Sequence, residues 1–272
     1  MEEKKIKPIF SFVLTIALLA ACSSQPNTPT VQSPQTNATE PATEAPATAE
    51  GGVPVAGTGL CANAYYPVRQ GATWNYKSTG SPAGEYSFTD TVVSVGEDSF
   101  ILATQSGNLT RTQEWACKPE GLVALQFGGA PAALLDAQGL QLDVQSSNAS
   151  GVTFPSEIKP GDQWQHRLYL QGNVSVANQS GAAKGDAQNN FTAAGVESVT
   201  VPAGTFDAMK IKVDTIINMN VSYKGLSLPV EFSGSYTYWF VQGVGWVKAS
   251  GTGSAAGTSF SETIELQSYS VP

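Results

Sequence analysis

The 272-residue chain holds a single histidine, His166, and that scarcity limits how acid–base or nucleophilic chemistry could be built. Hydrolysis by a serine needs a histidine beside the nucleophile and a carboxylate behind the histidine. Asp162, Trp164 and His166 alternate, so on a strand their side chains share a face. No Gly-x-Ser-x-Gly elbow in an α/β setting accompanies them, and a histidine flanking a core or lying on the surface is the plainer reading. Carboxylates are more numerous. Glu114, Asp136, Asp143, Glu157, Asp162, Glu197, Glu231 and Glu262 are candidates for a glycosidase pair, but such a pair must lie about 5 to 9 Å apart, which chain spacing does not test. Phosphate-binding and dinucleotide fingerprints are absent. Gly251-Thr252-Gly253-Ser254 reads as a loop between strands. Asp186, Gln188, Asn189 and Asn190 read as a polar loop, without the spacing of a calcium site. No cofactor and no metal are expected.

The three cysteines separate by position. Residues 1–8 carry Lys4, Lys5 and Lys7, and residues 9–21 are nearly all apolar. A basic start, a short apolar core and small residues before a cut define a secretory signal. The apolar stretch is shorter than the ~20 residues that span a bilayer. Leu19-Ala20-Ala21-Cys22 closes it, and this tetrapeptide resembles the lipobox of bacterial lipoproteins at every position. The resemblance implies cleavage before Cys22, a thioether-linked diacylglycerol on its sulfur and a further acyl chain, such as palmitate, on its amine. Two or more chains anchor stably where one does not. Ser23 follows, which in a two-membrane host resembles the outer-membrane sorting pattern. The expected location is the cell membrane or the outer membrane, facing away from the cytoplasm.

Residues 22–58 are rich in Ser, Thr, Pro, Ala and Gly, and from residue 23 onward they lack Leu, Ile, Phe, Trp and Tyr. Such a segment buries too little apolar surface to offset its ordering entropy and serves as a disordered spacer. The net charge is −8, and no cluster of basic residues stands out. Nucleic acid is therefore not an expected partner. With Cys22 assigned to lipid, Cys61 and Cys117 remain, an even pair in an oxidising compartment. A disulfide is favoured over free thiols or a two-cysteine metal site, and closing that loop is worth roughly 4 kcal/mol in the chain-entropy model.

These chemical candidates must be held by strands. From residue 62 the dominant period is two. Met209, Ile211, Val213, Thr215, Ile217, Met219, Val221 and Tyr223 alternate with polar residues, Ile216 excepted, as a half-buried strand requires. Such a run spans roughly 50 Å and must curve, or be two strands joined at a bulge. Further strands are expected over 84–95, 98–105, 109–117, 121–127, 162–177, 189–201, 231–241, 244–250 and 258–270. Val201-Pro202-Ala203-Gly204 reads as a tight turn, and 130–142 could hold one helical turn. The fold class is all-β: a curved antiparallel sheet, as a half-barrel or open barrel, in residues 59–272.

Two passages repeat. Tyr66-Pro67 leads to Gly71, Trp74 and Tyr76, and Phe154-Pro155 leads to Gly161, Trp164 and His166. Trp115 precedes Gly121 as Trp239 precedes Gly245. Two β modules, 62–128 and 152–272, follow, related by duplication or by recurrent packing needs. The tryptophans read as core anchors; a sugar- or acyl-binding platform would need several rings exposed on one face. The order Tyr65-Tyr66-Pro67 to Trp74, Phe154-Pro155 to Trp164, Val201 to Phe206 and Tyr238 to Lys248 resembles a group of uncharacterised bacterial envelope lipoproteins with a GxxW…VPAGTF…YW…GVGxVK signature. That group supplies no activity. In outline it is similar to the curved half-barrels of lipoprotein-localisation carriers and of periplasmic sigma-regulator sensors, a likeness of fold alone.

Three functions fit these observations. The first is a membrane-anchored, non-enzymatic binding module for an apolar or lipid ligand, faced by Met209, Ile211, Val213, Ile217, Met219 and Tyr223, since Met and aromatics suit adaptable apolar sites. The second is a display protein of the surface that binds a protein partner. The third and least supported is an envelope hydrolase.

Overall fold

The computed structural model describes residues 59–81, 84–128, 140–176, 179–255 and 258–272. The leader, Cys22, the tether, Asp136 and nearly all of the turn sought at 130–142 lie outside the described residues. A 3-10 turn, Gly59–Cys61, precedes thirteen strands: β1 (Thr73–Thr79), β2 (Tyr86–Val95), β3 (Ser99–Ser106), β4 (Leu109–Lys118), β5 (Gly121–Ala124), β6 (Leu140–Gly151), β7 (Phe154–Pro155), β8 (Gln163–Val176), β9 (Gln179–Val201), β10 (Gly204–Tyr223), β11 (Leu226–Val241), β12 (Gly245–Ala255) and β13 (Thr258–Ser270). They form one antiparallel sheet in the order β6-β8-β9-β10-β11-β12-β13-β1-β2-β3-β4-β5-β7.

The sheet curls until its edges meet at one end. Strands β6 and β7 are its two outermost members, yet only Val152 and Thr153 separate them in the chain. Thr153 binds the β5 side of this seam and Val152 the β8 side. Its amide donates to the Leu122 carbonyl at 3.0 Å, and its Oγ1 accepts the Ala124 amide at 2.8 Å. The neighbouring Val152 amide donates to the Gln165 carbonyl at 3.0 Å. Curvature comes from register shifts, which bend a strand and increase its twist. They occur between β1 and β13, β2 and β3, β6 and β8, β9 and β10, and β11 and β12. The long alternating run is thus a single strand, β10, whose pairing with β9 shifts at Lys210/Ile211.

Most expected strands are present, with two classes of difference. Strands β1, β6 and the two-residue β7 are not among the expected ones, and β9 begins ten residues earlier than its β-branched half implies. Its first half, Gln179 to Gln188, is rich in Gly and Ala and has little intrinsic β preference. Pairing with both β8 and β10 holds it extended. Asp186, Gln188, Asn189 and Asn190 therefore lie in a strand, not a loop, and Gly251–Ser254 lies within β12.

The two Gly-x-x-Trp passages make the same turn. Gly71 and Gly161 both have positive φ, +84° and +94°, which only glycine adopts freely. Ala72 donates to Arg69 and Gly71 to Val92; likewise Asp162 donates to Lys159 and Gly161 to Ala193. Each turn then launches a strand bearing its tryptophan, β1 or β8. The adjacent Cys61 and Cys117 sulfurs are bonded, with Cα atoms 4.9 Å apart.

The inner face carries two apolar clusters. One gathers around Tyr76, Phe100, Ile211, Ile264 and Leu266. The other, farther along the long strands, gathers around Leu168, Leu170, Ile217, Met219 and Phe260. Trp74, Trp115 and Trp246 are buried as core anchors; Trp164 and Trp239 are half-buried. Trp239 packs against the first cluster but also meets polar partners. Its Nε1 donates to Glu197 Oε1 at 2.6 Å and the Lys210 ammonium sits 5.9 Å from its ring, a polar setting.

Candidate functional site

A cavity of about 170 Å³ lies inside the curled sheet, walled by residues of both clusters. Its apolar wall includes Trp115, Phe154, Phe191, Tyr238, Phe240 and Trp246. Three buried polar side chains, Asp90, Gln113 and His166, also line it.

Asp90 reaches the interior by strand alternation. On β2 the buried positions are Phe88, Asp90 and Val92, so an acid occupies the middle of an apolar stripe. It is 4% exposed. Its Oδ1 accepts the Thr104 hydroxyl from β3 at 2.5 Å; Oδ2 accepts nothing from the described side chains. No lysine or arginine is buried among the described residues. Burial disfavours the charged form, and it pushes the Asp90 carboxyl up to about 7, only partly opposed by the Thr104 hydrogen bond.

Glu262 shows what a satisfied acid looks like in the same fold. It sits at the buried position of β13 between Phe260 and Ile264. It accepts hydroxyls from Ser78 at 2.6 Å, Tyr86 at 2.5 Å and Tyr236 at 3.2 Å. Burial, followed by the Glu262 charge, pushes both phenols upward, so they remain donors. Glu262 is not part of the cavity wall.

His166 points inward from β8, and its Nε2 lies 2.9 Å from the Ala124 carbonyl. A carbonyl only accepts, so Nε2 carries the proton, and in the neutral ring Nδ1 is a bare acceptor. Burial lowers the pKa, against the pull of the Ala124 carbonyl. Asp162 is exposed just before β8 and accepts the Lys159 amide. The expected sharing of a face by Asp162 and His166 therefore gives no dyad. Gln113 has both ends engaged, accepting from Trp115 Nε1 at 3.0 Å and donating to the Gln126 carbonyl at 2.6 Å.

Of the six residues expected to face a ligand, Val213 lines the cavity. Met209 and Ile211 are consumed by the first cluster, Ile217 and Met219 by the second, and half-buried Tyr223 belongs to neither. The other candidate carboxylates, Glu114, Asp143, Glu157, Glu197 and Glu231, are exposed. Asp90 was missed, although its place between Phe88 and Val92 was a readable signal.

The fold and site together define a curled all-β protein with a half-open aromatic cavity holding one poorly compensated acid. The chain belongs to the DUF3108-like family, whose model matches residues 113–253. Similar solved structures include a Bacteroides fragilis protein with a YmcC-like fold, at 16% identity and a TM-score of 0.46, covering 77% of this chain and 100% of that one. A Parabacteroides distasonis protein matches at 13% identity and 0.43, covering 76% and 99%. The hypothetical lipoprotein YmcC from Escherichia coli matches at 10% and 0.35, covering 74% and 85%. No curated protein matches.

Proposed function

We propose that the protein is an envelope lipoprotein, held to a membrane through lipid on Cys22 and a spacer to residue 58, whose β domain binds a small apolar ligand without transforming it. The cavity carries this reading. A cavity of roughly 150 Å³ lined by apolar side chains is enough to hold benzene. The interior here, at about 170 Å³, suits one ring or a short alkyl chain. That volume encloses one such group and not the whole of a diacyl lipid. Nucleophilic chemistry has no support: no serine or cysteine lines the cavity among the described residues, and His166 is oriented by a main-chain carbonyl, not a carboxylate.

The test is native mass spectrometry of the exported chain from residue 23, followed by titration with toluene while tryptophan emission is read. Trp115 and Trp246 line the cavity and report its filling. A small co-purified adduct, or saturable quenching by toluene, supports the binding role. A clean mass together with no saturable response would sink it and favour a display protein that binds a protein partner.

A further inference from the structure

We infer that the ligand of this cavity carries an ammonium group on a ring-sized apolar body, and that Asp90 is the residue that holds the ammonium. The inference rests on the cavity being the binding site, as proposed above, and names the chemistry of what enters.

The buried polar atoms decide the sign of the ligand. Asp90 has one hydroxyl donor, from Thr104, and a second oxygen with none. Glu262, in the same interior, has three. A buried carboxylate without a cation or a full set of donors is costly, and no lysine or arginine lines the cavity among the described residues. The two other buried polar side chains of the wall do not supply the missing donor. His166 spends Nε2 on Ala124 and offers the cavity only the Nδ1 lone pair. Gln113 is engaged at both ends, to Trp115 and to Gln126. The free capacity of Asp90 and His166 is acceptor capacity, and the Tyr66 and Tyr238 hydroxyls on the same wall, as neutral donors, bring no compensating charge. An ammonium supplies both the charge and the N–H donors. The aromatic wall favours it further, because ring quadrupoles attract cations.

The groups around Asp90 let pH report on it. Tyr66, Tyr76 and Tyr238 feel its charge, and all three phenols are pushed up by burial, so they stay neutral. His166, lowered by burial, would gain charge only on the acid side, where a cation would be repelled. Thr104 adds a neutral hydroxyl. Ammonium affinity must therefore rise with pH as Asp90 ionises.

The experiment uses the exported chain from residue 23 and two probes of matched shape, benzylamine and toluene, titrated by tryptophan emission at about pH 5.5 and about pH 8. Benzylamine stays protonated throughout. The ionised fraction of a group titrating at about 7 differs by roughly thirtyfold between those values. Benzylamine affinity is expected to rise by about that factor, and toluene affinity to stay level or fall. At the higher pH benzylamine should bind at least about tenfold tighter than toluene. Asp90→Asn should remove both the preference and the pH dependence while toluene still binds. Thr104→Val removes the one hydrogen bond that lowers the Asp90 pKa, so it should move the midpoint of the benzylamine profile upward. It serves as the second variant if Asp90→Asn fails to fold. Toluene binding without a benzylamine preference, or a preference that survives Asp90→Asn, overturns the ammonium assignment alone. Failure of both probes overturns the cavity as a binding site.

Discussion

Replacing Asp90 with asparagine should change how the stability of the domain depends on pH. The Asp90 carboxyl ordinarily titrates at 3.8 and is pushed to about 7 in the fold. Between those values the folded chain keeps a proton that the unfolded chain has released. The fold binds more protons than the unfolded state there, so stability falls as pH rises. The stabilisation is fully present below about pH 4 and is lost as pH rises through about 7. A shift of about 3 units at about 1.4 kcal/mol each corresponds to about 4 kcal/mol, a large share of the 5–15 kcal/mol typical of a domain. Asp90 is almost fully buried, so solvent screening discounts this little. Asparagine keeps an oxygen for the Thr104 hydroxyl but brings an amide that also needs partners, at a cost of about 1–3 kcal/mol. The net gain at pH 8 is therefore smaller, roughly 1–3 kcal/mol. The difference between the two proteins should swing by about 4 kcal/mol across the range, because every other titrating group cancels. Urea unfolding of the oxidised proteins at a series of pH values measures it. A difference that stays flat within about 1 kcal/mol from pH 4 to pH 8 would refute the claim that burial of Asp90 is uncompensated.

Three further outcomes test the frame around the cavity. His166→Leu removes the donor to the Ala124 carbonyl across the seam and should cost about 1–3 kcal/mol in thermal unfolding; an unchanged melting temperature would mean that this bond does not help hold the edges together. Breaking the Cys61–Cys117 bond with Cys61→Ser/Cys117→Ser frees a 56-residue loop and should cost about 4 kcal/mol in urea, measured against the oxidised protein. Gly185→Val should be among the most damaging changes in β9. Even a bare Cβ there would lie within contact distance of Asn218 oxygen and Met219 Cα on the paired strand, so the soluble yield or the urea midpoint should drop, by more than about 2 kcal/mol if the variant folds.

Local alternation made much of the fold legible. Residues 209–223 declare a strand because every second side chain is apolar, and that strand is β10, with exposed Ile216 on the outer face. The repeated Gly-x-x-Trp passages marked two equivalent turns, since a residue with positive φ before a strand leaves its trace as glycine. Gln179 to Gln188 left no such trace. Its glycines and alanines have no preference of their own, and neighbouring strands on both sides impose the extended form.

The site divides along the same line. That an acid would face inward on β2 was already decided by the spacing Phe88-Thr89-Asp90-Thr91-Val92, because side chains alternate on a strand. Which inward acid would be left short of donors was not. Three hydroxyls from β1, β2 and β11 converge on Glu262, whereas Asp90 receives one from β3. The ligand-facing set shows the same limit: alternation put Met209, Ile211, Val213, Ile217 and Met219 on the inner face, but the curl of the sheet packed them into core and brought only Val213 of these to the cavity wall. Alternation determines which way a side chain points. The closure of thirteen strands around one interior decides what it meets there, because those contacts join residues far apart in the chain.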